Sequence, residues 1–235
     1  MNNPWVVIPT YNEKMNIEQM IKSLFALNVP NISVLIIDDN SPDRTADIVR
    51  RLQTNFPKLQ LVVRPKKSGL GRAYIHGFQY AVAKGADSVV QMDADFSHNP
   101  HDVPRLLQHL ESSDVVIGSR YVNGISIVNW PLRRLLLSIG GNAYAGFITG
   151  LPFKDSTGGF RAWRSSALQT IDLPTIRADG YGFQVITIFR SWRRHLRIKE
   201  IPIVFTERRA GKSKMSGKIV REAMAIVWKL RLTGK

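Results

Sequence analysis

The sequence predicts a doubly wound α/β domain with a mostly parallel sheet and flanking helices. Two patterns carry that prediction. Short apolar runs without polar interruption fit strands covered on both faces, and they alternate with stretches of helical periodicity in the order βαβαβαβαβ. Length agrees: 235 residues, at roughly 100–200 residues per domain, make one domain able to bury a proper core.

The elements follow in order along the chain. Trp5-Val6-Val7-Ile8-Pro9 is a buried strand. Residues 16–27 carry Ile17, Met20, Ile21, Leu24 and Phe25 at helical spacing. Val34-Leu35-Ile36-Ile37 is a second strand, closed by Asp38-Asp39-Asn40-Ser41. Residues 45–56 form a helix with Ala46, Val49 and Leu52 inward. Leu59-Gln60-Leu61-Val62-Val63 is a third strand, and a basic glycine loop, 64–72, leads into a helix over 73–84. Ser88-Val89-Val90-Gln91-Met92 is a fourth strand, ending at Asp93-Ala94-Asp95. Residues 104–111 are helical, and Asp114-Val115-Val116-Ile117-Gly118 is the fifth strand.

The second half is less regular. Nothing is charged from Val122 to Leu132, Arg133-Arg134 follow, and the next 19 residues, 135–153, are again uncharged. Length alone allows a membrane span. Four glycines, the polar Ser138, Asn142 and Thr149, and Pro152 argue instead for a helix buried in the protein or lying at a membrane surface. Residues 180–192 read as a helix and 199–206 as a strand. In the tail, 218–232, Ile219, Ala223, Ile226, Val227 and Leu230 share one face, and Lys218, Arg221, Glu222 and Lys229 another. That pattern fits a helix docked on the core or a basic interfacial helix.

Composition excludes several classes. With 44% hydrophobic and 22% charged residues, the chain is neither disordered nor low-complexity. No cysteine is present, so disulfide scaffolds, thiol catalysis and zinc–cysteine sites are out. The N-terminus, Met1-Asn2-Asn3-Pro4-Trp5, lacks a basic and apolar leader pattern, so a cytoplasmic location is expected. The net charge of +15 is all in the second half: residues 1–117 hold equal numbers of acidic and basic side chains. Such asymmetry points to a polyanionic partner: nucleic acid, anionic lipid or a phosphorylated substrate.

In open α/β sheets ligands bind beyond the carboxyl ends of the strands. There the chain places Pro9-Thr10-Tyr11-Asn12-Glu13, Asp38-Asp39, Gly69-Leu70-Gly71, Asp93-Ala94-Asp95 and Gly118-Ser119-Arg120. Carboxylates without Cys or His favour a hard cation such as Mg²⁺ or Mn²⁺, working through a substrate phosphate. A lone D-x-D is often a loop pair facing water, and Asp93 and Asp95 share one site only if the strand bends there. The glycine loop is not a P-loop, and it follows the wrong strand for a dinucleotide fingerprint. His98 and His101 read as loop polarity rather than as metal ligands. No G-x-S-x-G elbow occurs, which argues against a serine hydrolase.

These segments, with Asp155-Ser156-Thr157-Gly158-Gly159-Phe160-Arg161, Gly180-Tyr181-Gly182-Phe183 and the run from Phe205 to Met215, make the chain similar to inverting nucleotide-sugar glycosyltransferases of family 2. More narrowly it resembles the polyprenyl-phosphate (dolichyl-phosphate) mannose synthases. The likeness covers nearly the whole chain in order. It implies a GT-A fold in which residues 1–117 bind the nucleotide sugar, 118–217 bind the acceptor, and 218–235 form an amphipathic basic helix. It implies a GDP-mannose donor, held by Pro9, Tyr11, Glu13, Asp38, Asp39, Gly69, Asp93, Ala94 and Asp95. It implies Mg²⁺ or Mn²⁺ on Asp93 and Asp95. Ser97 stands where some relatives have a metal-shell glutamine, and it could ligate through its hydroxyl or a water.

The implied acceptor is a polyprenyl phosphate, whose oxygen attacks the anomeric carbon. A phosphate monoester with a second pKa of about 6 needs no strong base at neutral pH; it needs holding, for which arginine forks suit. Arg120 and one of Arg133 and Arg134 would hold it, with Arg208 and Lys214 arriving on a closing loop, and Asp95, Arg120 and Arg208 would carry catalysis. The enzyme would work at the cytoplasmic face of a membrane. The chain ends at Thr233-Gly234-Lys235 without the transmembrane helices of some relatives, which leaves a peripheral enzyme, one anchored by a membrane subunit, or a truncated chain. Three other readings stay open: a UDP-glucose-dependent transferase on the same lipid, a basic nucleic-acid-binding α/β protein, and a peripheral membrane scaffold without catalysis. The family resemblance speaks for no nucleic-acid partner.

Overall fold

The structure is a computed structural model describing residues 1–178, 180–207 and 217–234, with residues 217–223 described through their backbone alone. A seven-stranded sheet runs through it in the order β3-β2-β1-β4-β7-β5-β8. Its strands are β1 (Pro4–Thr10), β2 (Ser33–Asp38), β3 (Leu59–Val63), β4 (Ser88–Gln91), β5 (Val115–Ser119), β7 (Arg161–Arg164) and β8 (Ile198–Pro202). Only β7 runs against the others. A parallel pair, β6 (Ile127–Val128) with β9 (Phe205–Thr206), stands apart. The expected mostly parallel α/β architecture is therefore the one observed.

The uninterrupted apolar runs have a plain cause. Successive strand residues point to opposite faces, and both faces are covered. Val7, Leu35, Ile37, Val89, Val115 and Ile117 face one core; Val6, Ile8, Val34, Ile36, Val90 and Val116 face the other. The second core is closed by α1 (Ile17–Phe25), α2 (Thr45–Leu52) and α4 (Val103–His109). The first is closed by α3 (Leu70–Ala83), α5 (Leu132–Thr149), α6 (Ser165–Thr170), α7 (Gly180–Arg193) and α8 (Gly217–Thr233).

Besides β6, β7 and α6, for which the sequence reading has no counterpart, three elements differ from it. The glycine loop ends sooner, because α3 already starts at Leu70 and takes in Gly71 and Arg72. The expected strand over 199–206 is two strands, β8 and β9. The long uncharged helix begins at Leu132, so Arg133 and Arg134 lie in its first turn, and it stops at Gly150 in the left-handed region.

Glycine lets α3 pack tightly on α7. A β-carbon on Gly71 would lie 2.4 Å from the Ala178 carbonyl oxygen and 3.1 Å from Phe183. A backbone oxygen cannot swing aside, so Gly71→Ala should destabilise the fold by about 1–3 kcal/mol. Denaturant unfolding measures this; an unchanged midpoint would show that α7 can shift freely.

The apolar helices are only partly covered. α5 buries Asn142, Ala145 and Thr149 while Leu132, Leu136, Leu137 and Phe147 are exposed. α8 docks through Val227 and Leu230 yet exposes Met224, Trp228 and Leu232. The tail thus combines a docked face with exposed apolar side chains. No helix among the described residues is long and apolar enough to cross a membrane.

Candidate active site

The carboxyl ends of β1, β2 and β4 lie side by side because β1 pairs in parallel with both neighbours. That register brings the Pro9–Glu13 turn, Asp38-Asp39 and Asp93 to one edge. Asp38 is wholly buried and locks the first two strand ends together. One oxygen accepts from the Ser41 backbone N–H at 2.9 Å; the other accepts from the hydroxyls of Thr10 and Ser41 at 2.8 and 2.6 Å. Asp39 is gripped by both arms of Arg64, at 2.6 and 3.1 Å. The Glu13 carboxylate accepts from Asn16 at 3.0 Å, and Lys67 lies over the Tyr11 ring, 4.2 Å from its centroid. Gly69 caps α3 with φ of 103°, a conformation open to glycine alone.

The bend required at the D-x-D is present. Regular strand ends at Gln91, and Phe96 adopts φ of 60°, in the left-handed region. Two contacts hold the turn: the Asp93 N–H donates to His98 Nδ1 at 3.2 Å, and the Ser97 N–H donates to the Asp95 carboxylate at 3.1 Å. An imidazole nitrogen that accepts carries no proton, so His98 is neutral. Burial lowers its pKa, although the Asp93 and Asp95 charges pull the other way. The Tyr74 hydroxyl donates to Asp93 at 2.8 Å; burial and then that carboxylate keep the phenol's pKa well above normal, so it stays a donor. Ala94 packs into the core. Among the described residues no three His, Asp or Glu side chains could hold a metal ion between them.

On the other side, Arg120 is an interior ion-pair partner instead of an open fork. Its Nε and Nη2 bind the two Asp155 oxygens at 2.7 and 2.6 Å, and Nη2 also donates to Thr157 at 3.0 Å. Burial opposes both charges, but their mutual attraction wins: Asp155 is held below the usual carboxylate range and Arg120 above the usual arginine value. The guanidinium sits among the rings of Tyr121, Trp130 and Phe205, 5.2–5.7 Å from their centroids. The Lys154 and Asp155 N–H groups both donate to Glu200 at 2.9 Å. Arg161, fully buried, donates to the Ser156 carbonyl at 2.7 Å, and burial brings its pKa down to about 9.

Arg134 and Arg133 part company. Arg133 is exposed. Arg134 pairs with Glu207, lies 4.0 Å over the Trp130 ring, and helps line an apolar groove between α5, α7 and α8. Leu137, Tyr144, Val185 and Val227 form much of its wall. Arg208 and Lys214 lie outside the described residues. Tyr74, Asp155, Glu200 and Glu207 were missed as structural partners. Each is bound to a residue distant in sequence, and no local pattern marks such a pairing.

Comparison with known proteins supplies the last findings. A family model described as Glycosyl transferase family 2 matches residues 5–172. The chain is 45% identical over 231 residues to an undecaprenyl-phosphate mannosyltransferase of Micrococcus luteus, covering 97% of this chain and 94% of that one. It is 41% identical over 230 residues to a polyprenol monophosphomannose synthase of Mycolicibacterium smegmatis, covering 96% and 86%. Among solved structures, a glucosyl-3-phosphoglycerate synthase of Mycobacterium tuberculosis, in complex with Mn²⁺, uridine diphosphate and phosphoglyceric acid, matches with a TM-score of 0.73 at 20% identity. That match covers 97% of this chain and 78% of that one. At this identity the likeness shows the fold alone.

Proposed function

The chain belongs to glycosyl transferase family 2, and from that membership we propose that it transfers mannose from GDP-mannose to a polyprenyl phosphate. The observation that carries this reading is the apolar groove with an arginine in its wall. A hydrocarbon chain suits the groove and a phosphate suits the arginine. The groove's walls all come from residues 130–227, which supports assigning the acceptor to the second half and the donor to residues 1–117. The tail joins the acceptor half, since Met224 and Val227 line the groove.

In this reading one acceptor phosphate oxygen attacks the anomeric carbon, the bond from that carbon to GDP breaks, and configuration inverts. Asp93 and Asp95 would hold a Mg²⁺ or Mn²⁺ ion, since such ions bind through one or two carboxylates plus substrate phosphates. When bound, the ion neutralises the departing diphosphate. Ser97, which anchors Asp95 through its backbone, completes the turn. The Tyr11–Glu13 turn, Asp39 and the Gly69 loop form the donor edge, while Asp38 and Arg120 position their neighbours from within. The exposed apolar side chains of α5 and α8 would rest on a membrane surface, and the basic second half would favour an anionic one.

A donor panel tests the proposal. Protein, Mg²⁺ or Mn²⁺ and a detergent-solubilised polyprenyl phosphate are mixed with radiolabelled GDP-mannose or UDP-glucose. Organic-phase label from GDP-mannose, lost with EDTA, is the expected result. Label from UDP-glucose alone would overturn the donor, and label from neither would overturn the lipid acceptor. Label that survives EDTA would overturn the metal site.

A further inference from the structure

Two buried N–H donors face no partner on adjacent, stacked groups: Nε1 of Trp130 and Nε of Arg134. Buried donors are nearly always satisfied, so such a pair calls for an explanation. The rest of the guanidinium is not idle, for Nη1 donates to Glu207. Nη1 lies off the side edge that Nε forms with Nη2, so the Glu207 contact leaves the Nε–H unpaired. Both residues line the groove, whose other walls are largely apolar. Two unpartnered donors on stacked side chains that line an apolar trough match an anion that carries a hydrocarbon chain.

We propose that Trp130 is a further acceptor-binding residue. Its indole N–H and the Nε–H of Arg134 together hold the phosphate monoester, while Glu207 is a positioning residue that fixes the guanidinium through Nη1. This rests on the lipid-phosphate reading above. The indole is itself well fixed. It packs edge-on against Phe205, with centroids 5.2 Å apart, and Phe205 in turn meets His98 at 5.4 Å. His98 holds the Asp93 amide. The anion site and the D-x-D turn are thus joined by contacting rings, which lets two substrates be placed relative to each other without a flexible element between them.

Trp130→Phe keeps the ring for Arg134 and Phe205 and removes only the N–H. Hydrogen bonds to charged groups are strong enough that the acceptor KM, and the Kd for farnesyl phosphate in detergent, should rise about ten- to hundredfold. The KM for GDP-mannose and the melting temperature should not move. Unchanged farnesyl phosphate affinity would overturn the proposal, whether or not the wild type turns over. A wild type that binds farnesyl phosphate through Trp130 but transfers no mannose would instead sink the reading of the reaction and keep the site. Inorganic phosphate should bind far more weakly than farnesyl phosphate; equal affinities would remove the groove from the proposal. Glu207→Ala should raise the acceptor KM with kcat held, and Glu207→Gln should recover part of the loss. A lowered KM in Glu207→Ala would mean that the carboxylate blocks the anion site, and would overturn its positioning role.

Discussion

Asp95→Ala should cut kcat for mannosyl transfer by about 10²–10³-fold or more, the scale seen when one preorganised electrostatic contact to a developing charge is lost. The leaving group is a nucleoside diphosphate, and negative charge grows on it as the sugar departs. Asp93 and Asp95 are the two carboxylates in the D-x-D turn, and in the proposed reading they would hold one divalent ion together. Asp95→Asn separates charge from shape. The amide oxygen can still accept from the Ser97 N–H that Asp95 now binds at 3.1 Å, so the turn survives and the charge does not. The asparagine variant should therefore fold like the parent and be nearly as inactive as the alanine one. Steady-state kinetics with saturating Mn²⁺, beside a melting curve, decides it. An asparagine variant with near-parental kcat would show that Asp95 only shapes the turn.

How far the sequence reached can be read from particular residues. β1, β2 and β4 were legible because burial on both faces leaves runs such as Val34–Ile37 without a polar break. Their chemistry was legible too, since parallel strands place Thr10, Asp38 and Asp93 at one edge whatever the loops do. β7 was not legible. Arg161-Ala162-Trp163-Arg164 reads as a charged scrap, and only its insertion between β4 and β5 makes it a central strand. Arg161 is fully buried there, against all expectation for its type. It is tolerated because carbonyl and hydroxyl oxygens of Ser156, Gln184 and Thr187 receive its Nη1 and Nη2 groups, although its Nε–H has no partner among the described residues. The surroundings of Arg120 were hidden for the same reason. A strand-end arginine looks like a substrate ligand in sequence, and only the fold shows Asp155, 35 positions away, binding its Nε and Nη2. The groove lay beyond reach, as three helices from separate parts of the chain build it.

Asp155→Ala should have the largest effect on stability, a loss of about 3–5 kcal/mol, because it strands a buried guanidinium without its counter-charge. Arg120 is 4% exposed and Asp155 0%, so water cannot replace the missing carboxylate. The pH dependence follows from the two shifts. Asp155 titrates below its ordinary value of 3.8 when folded, so its contribution is complete above that value and fades as pH falls through the lower, folded one. Arg120 is raised above the ordinary arginine value, so its contribution is complete below that value and fades only in stronger alkali. The stability gap between the parent and Asp155→Ala should therefore be flat from about pH 5 to 9 and shrink only below about pH 4. A gap that varied across the neutral range would mean that another group answers Arg120. Arg120→Lys sharpens the point: a single ammonium cannot bridge both carboxylate oxygens and also reach Thr157. Because Trp130, Phe205 and Tyr121 surround the guanidinium, loosening it should loosen the indole beside the groove. Arg120→Lys should then raise the acceptor KM through Trp130 while leaving the donor KM near the parental value. If instead both KM values stay put and only stability falls, the pair is a strut for the Asp155–Phe160 loop and takes no part in placing the acceptor.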